Sequence, residues 1–153
     1  MGRPRGKGVM TTAIASRVEL KIPSRAEFIS VARLAVAAVA ARMGFNYDDI
    51  EDLKVATGEA LTNAIQHAET TGEATDKDIV VVCAMQSDAL IIEVRDSGSG
   101  FDPELRRQAL ERDELQEGGL GLLLIESLMD KVDFKTKPGK GTLVRMTKRL
   151  AGS

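Results

Sequence analysis

Extended segments come in adjacent pairs along this chain, and that pairing leaves few folds open. Residues 78–86 (DIVVVCAMQ) and 89–96 (ALIIEVRD) are separated only by Ser87-Asp88. A turn that short joins strands antiparallel, because a parallel crossover needs a dozen residues or more. VDFKTK and TLVRMTKRL, joined through Pro138-Gly139-Lys140-Gly141, form a second such pair. Earlier, Val18, Leu20 and Ile22 alternate with charged residues, the pattern of a half-buried strand, and Pro23 ends it. With the helical stretches added, the order is strand, helix, helix, strand, strand, helix, helix, strand, strand. The expected fold class is therefore α+β: a two-layer sandwich of a mixed, largely antiparallel sheet with helices on one face.

The helices carry their own signals. Ser24 and Glu27 stand as a capping box before an alanine-rich helix of about 19 residues running to Met43, with Gly44 as its stop. This helix is apolar over much of its circumference, so it is expected in the core or at a protein contact. Asn46 caps a second long helix, with Asp48, Asp49 and Glu51 in the turn where the helix dipole favours negative charge. A polar loop is expected from about Thr70 to Asp76, and Asp102-Pro103 opens a short charged helix.

Bulk properties exclude several classes. A net charge of −2 provides no basic stripe for nucleic acid. Residues 1–15 are read as a disordered, weakly basic extension and lead-in, whose few cations make a poor nucleic-acid arm. Cys83, the single cysteine, excludes an internal disulfide and a cysteine-based zinc site, and reads as a small buried hydrophobe. No apolar run approaches the ~20 residues that cross a bilayer, so a cytoplasmic protein is expected.

Four segments carry possible chemistry. In EALTNAIQHA, Glu59, Asn63 and His67 recur every four residues and share a helix face beside core-facing alanines and leucine. That face reads either as a solvated stripe or as a carboxylate and carboxamide suited to phosphoryl transfer, the one accepting a proton and the other binding magnesium. In DSGSGFD, Asp96 ends a central strand, and Gly98 and Gly100 permit close approach to a flat ligand. A carboxylate there can accept a hydrogen bond from the exocyclic amine of adenine, while guanine would oppose it with an acceptor. In GGLGL, Gly118, Gly119, Leu120, Gly121 and Leu122 open a helix whose free N–H groups can face an anion. Thr142, after Lys140-Gly141, could assist Asp96 through a water. The last three segments also read as ordinary turns or helix entries. No P-loop and no Rossmann fingerprint is present.

Taken in order, Glu-x-x-x-Asn on a helix, Asp-x-Gly-x-Gly after a strand, Gly-x-Gly before a helix and Gly-Thr at a hairpin resemble the GHKL superfamily. Gyrase B, heat-shock protein 90, histidine kinases and MutL share this ATP-binding fold. The resemblance covers about residues 16–150. EGGLGLLLIESLMD further resembles the bacterial anti-sigma-factor serine kinases, including those of the general stress response.

That resemblance implies ATP and Mg2+ as cofactors, with Glu59 as general base and Asn63 as magnesium ligand. It also implies that Asp96 reads adenine, Gly98 and Gly100 line the base pocket, Gly119 and Gly121 approach the phosphates, and Thr142 lies near the base. A lid is expected between Phe101 and Gly118. Gln116 and Glu117 stand where some relatives have an arginine, which leaves Arg106, Arg107 and Arg112 open as phosphate contacts. The implied function is a homodimer that sequesters a sigma factor and phosphorylates a serine or threonine of its STAS-type anti-anti-sigma antagonist. Two alternatives stand beside it: a nucleotide-responsive binding protein without kinase activity, and the catalytic domain of a histidine kinase. The first long helix, through residues 31–39, is a candidate self-association surface, or else plain core.

Overall fold

A computed structural model describes residues 16–70, 77–96, 118–137 and 141–151. The described strands are β1 (Ser16–Pro23), β2 (Asp78–Met85), β3 (Ala89–Asp96), β4 (Lys131–Lys137) and β5 (Gly141–Arg149). They form one sheet in the order β1-β2-β3-β5-β4, so β3 is central. All four pairings are antiparallel, so the largely antiparallel sheet that was expected is wholly antiparallel among the described strands. The helices are α1 (Ile29–Met43), α2 (Tyr47–Thr70) and α3 (Gly118–Leu128). The extension 1–15, the loop 71–76 and the expected lid and its helix lie outside the described residues.

Register explains the core. Val81 pairs with Val94 and Val94 with Val144, while Cys83 pairs with Ile92 and Ile92 with Met146. Side chains alternate across a strand, so these rows share one face of the sheet. They are all buried in one cluster with Val36 of α1, Leu53 and Leu61 of α2 and Ile125 of α3. Burial pushes the Cys83 thiol up to about 11, consistent with an inert packing role.

The opposite face is charged, with Glu93 at its centre. Glu93 is only 7% exposed, and it accepts from Arg95 Nη2 at 2.6 Å and from Arg145 Nε at 2.8 Å. Burial alone would raise its pKa, but hydrogen bonds and charge from the two arginines outweigh that and hold it below the ordinary carboxylate value. A lowered folded pKa stabilises above the unfolded value and is lost as pH falls through the folded one. Glu93→Gln should therefore lower stability by about 1 kcal/mol at neutral pH, since both guanidinium groups still reach water. Denaturant titrations of both proteins should converge as the pH drops below the carboxylate range.

Two helix starts differ in how the sequence signals are used. Asn46 caps α2 as expected, its Oδ1 accepting from the Asp49 N–H at 2.8 Å. The Ser24/Glu27 capping box does not form. The backbone N–H of Ser24 bonds to the Lys77 carbonyl at 3.2 Å, which carries sheet-type pairing one residue past β1. Ser24 thus bonds across to the strand side and caps no helix, and a 3-10 turn at Ala26–Phe28 leads into a 15-residue α1, shorter than the 19 expected. Its stop is as read: Gly44 has φ 93°, which glycine adopts without steric cost. One face of α1 is buried through Ala32, Val36, Val39 and Ala40, while Val31 and Leu34 face outward.

Lys148 ties the helix layer together. Its Nζ donates to the Leu128 carbonyl at the end of α3 at 2.6 Å and lies 3.5 Å from Asp52 of α2. The last carbonyls of a helix have no internal partner, so this bond caps α3 and sets it against α2.

Candidate nucleotide-binding site

The site forms where α2 crosses the ends of β3 and β5. Asn63 and His67 descend from α2 one turn apart, with Ala60 and Ala64 beside them. From the sheet come Val94 and Asp96 of β3, Thr142 and Val144 of β5, and Phe134 of β4. These residues line a cleft of about 330 Å³, a space that includes open solvent at its mouth. Ala60 and Ala64 line it on the helix side with small side chains.

Asp96 is the last residue of β3 and pairs directly with Thr142, so two segments far apart in sequence meet at one rung of the ladder. His67 Nδ1 stands 3.8 Å from Asp96 Oδ2. Two buried polar atoms in this pocket, Asn63 Nδ2 and Thr142 Oγ1, have no hydrogen-bond partner among the described residues. Leaving such groups unsatisfied costs about 1–3 kcal/mol each, a cost that a polar ligand removes.

Glu59 stands one turn before Asn63 on α2, against the first turns of α3. A Cβ on Gly121 would lie 2.9 Å from Glu59 Oε1 and 3.3 Å from both terminal atoms of Asn63. Only glycine lets the α3 backbone come so close to these two side chains. The glycines therefore belong to the helix itself, which starts at Gly118, and do not form a break before it. The first N–H groups of α3 lack intrahelical acceptors and lie at the positive end of its dipole. These features suit a ligand with an anionic tail and a flat polar head, which is the chemistry of a nucleotide triphosphate. The carboxamide of Asn63 can present either nitrogen or oxygen by a half-turn, so it suits a magnesium ion as well.

The structure thus brings together Glu59, Asn63, His67, Asp96, Gly121 and Thr142. Gly118, Gly119 and Leu120 lie in the first turn of α3. Leu122 is half-buried and packs on the core, and it is not one of the residues lining the pocket. Gly98 and Gly100 lie outside the described residues. Sequence reading missed Phe134, which is 38% exposed and lines the pocket. The alternation of VDFKTK places Phe134 on the face of Val132, but only the β4–β5 register sets it opposite Val144.

Comparison with known proteins agrees with this fold. The family of histidine kinase-like ATPase domains matches residues 22–148. The serine-protein kinase RsbW of Bacillus velezensis is 43% identical over 153 residues, covering 94% of this chain and 91% of that protein. RsbW of Bacillus cereus is 45% identical over 143 residues, covering 88% and 85%. Among solved structures, the RsbU and RsbW domains of a Mycobacterium tuberculosis protein share the fold. That likeness has a TM-score of 0.65 at 22% identity, over 89% of this chain and 32% of that one. Among the described residues no helix is long and apolar enough to cross a membrane. The chain belongs to the histidine kinase-like ATPase domain family and, within it, to the RsbW serine-protein kinases.

Proposed function

We propose that this chain is a cytoplasmic anti-sigma factor that, with ATP and magnesium, phosphorylates a serine or threonine of a STAS-type anti-anti-sigma protein. Phosphorylation would disarm the antagonist, leaving the sigma factor held. The carrying observation is that Asn63, Asp96 and Thr142 line one pocket, where buried Asn63 and Thr142 atoms have no partner among the described residues, with Glu59 one helical turn from Asn63 and against Gly121. The outward Val31 and Leu34 of α1 support a protein contact on that helix, a homodimer included.

The nucleotide, when bound, supplies the transferable phosphoryl group, and magnesium supplies positive charge against it. The rest of the chemistry falls to side chains and backbone. Asp96 accepts from an exocyclic amine, with Thr142 beside it, which selects adenine over guanine. Backbone N–H groups at the start of α3 receive the phosphates, and the Asn63 carboxamide oxygen holds the metal. Glu59 would take the proton from the acceptor hydroxyl as its oxygen bonds to the γ-phosphorus, while the bond from that phosphorus to the β-phosphate oxygen breaks and ADP leaves.

The sole histidine, His67, lies in the pocket beside Asp96. It is therefore poorly placed to be a phosphoacceptor delivered from a separate helix. Calorimetry with magnesium present is expected to show uptake of ATP and ADP by the wild type. Asp96→Ala should weaken both by about 10–100-fold, the loss of a hydrogen bond to a charged group. No uptake by the folded wild type would overturn the nucleotide reading. Uptake without phosphate transfer to any antagonist would leave a binding protein only.

A further inference from the structure

We infer that Phe134 is the aromatic wall of the pocket and gives the nucleobase a face to stack on, which makes it an affinity-determining residue. This rests on the nucleotide reading above. On the helix-facing side of the sheet, Phe134 of β4 lies opposite Val144 of β5, and Val144 lies opposite Val94 of β3. The neighbouring row sets Thr142 opposite Asp96. The pocket is thus graded across the sheet, with a polar end at Asp96, Thr142 and His67 and a phenyl ring on the outermost strand.

Two observations set Phe134 apart from an ordinary surface hydrophobe. It lines the pocket, yet it is 38% exposed while Val144 beside it is only 6% exposed. It is also the only large apolar ring among the described residues that line the pocket. The valines and alanines there can exclude water from a base, but only a ring adds favourable face-to-face contact with one. Asp96 distinguishes bases by their edge. Phe134 acts on the face, which adenine and guanine share, so its contribution is affinity for a large planar base and not the choice between purines.

The chain contains no tryptophan, so Phe134→Trp installs a single indole reporter at the pocket. Calorimetry with ATP and ADP on the wild type and on Phe134→Ala, Phe134→Leu and Phe134→Trp tests the inference, with thermal melts as a fold control. Alanine should weaken both nucleotides about tenfold and by the same factor, since both carry the same base. Leucine should remain several-fold weak despite its bulk. The Phe134→Trp variant should bind about as tightly as the wild type, with indole emission that changes on adding ADP. If the leucine or alanine variant retains wild-type affinity, or the indole emission ignores ADP, stacking at this position is wrong while the site stands. A wild type that binds neither nucleotide removes the site reading, and the role of Phe134 with it.

Discussion

Glu59→Gln should lower phosphate transfer to the antagonist by about 10²–10⁴-fold, the usual contribution of a positioned general base. Nucleotide affinity should stay near that of the wild type. Glutamine preserves the size of the side chain and its contact with Gly121 but cannot accept the hydroxyl proton. Glu59 stands one helical turn from Asn63 and outside the residues lining the base pocket, so its loss leaves Asp96 and Thr142 in place. Single-turnover transfer of labelled phosphate, measured with saturating ATP, separates this from a binding defect. Transfer by Glu59→Gln within a few-fold of wild type would assign the base elsewhere.

Gly121→Ala should separate stability from activity. The added Cβ meets only side-chain ends: Glu59 Oε1 at 2.9 Å and the Asn63 carboxamide at 3.3 Å. Those groups can swing aside, and alanine favours a helix over glycine by about 0.5–1 kcal/mol, so the thermal midpoint should hold or rise. The two displaced side chains are the proposed base and the proposed metal ligand. A misplacement of about 1 Å at such groups costs about 100-fold in rate. Loss of folding in this variant would mean that the contact supports the fold. A stable and fully active variant would mean that the close approach of α3 to α2 plays no part in catalysis.

Strand pairing was legible because its causes are local. Ser87-Asp88 is too short for anything but a hairpin, and residues of period two mark which face is apolar. The spacing of Glu59, Asn63 and His67 on one helix face was equally readable, because the helical repeat of about 3.6 residues per turn fixes it. Ser24 shows the limit of such signals. Its cap chemistry was correct for a helix start, but a bond to the distant Lys77 held its backbone to the strand side. Glu93 is a second case. An apolar strand with a carboxylate in its middle says nothing of Arg145 until β3 and β5 are in register.

By itself, then, the order of residues determined the element types, the hairpins, the antiparallel pairing of neighbours and the candidates Glu59, Asn63, Asp96, Gly121 and Thr142. Tertiary structure alone decided that Asp96 meets Thr142, that Gly121 presses on Glu59 and that Phe134 lines the pocket. Each of those depends on register or on helix approach between distant segments. Such placement is set by the packing of the whole core, and no local run of residues encodes it.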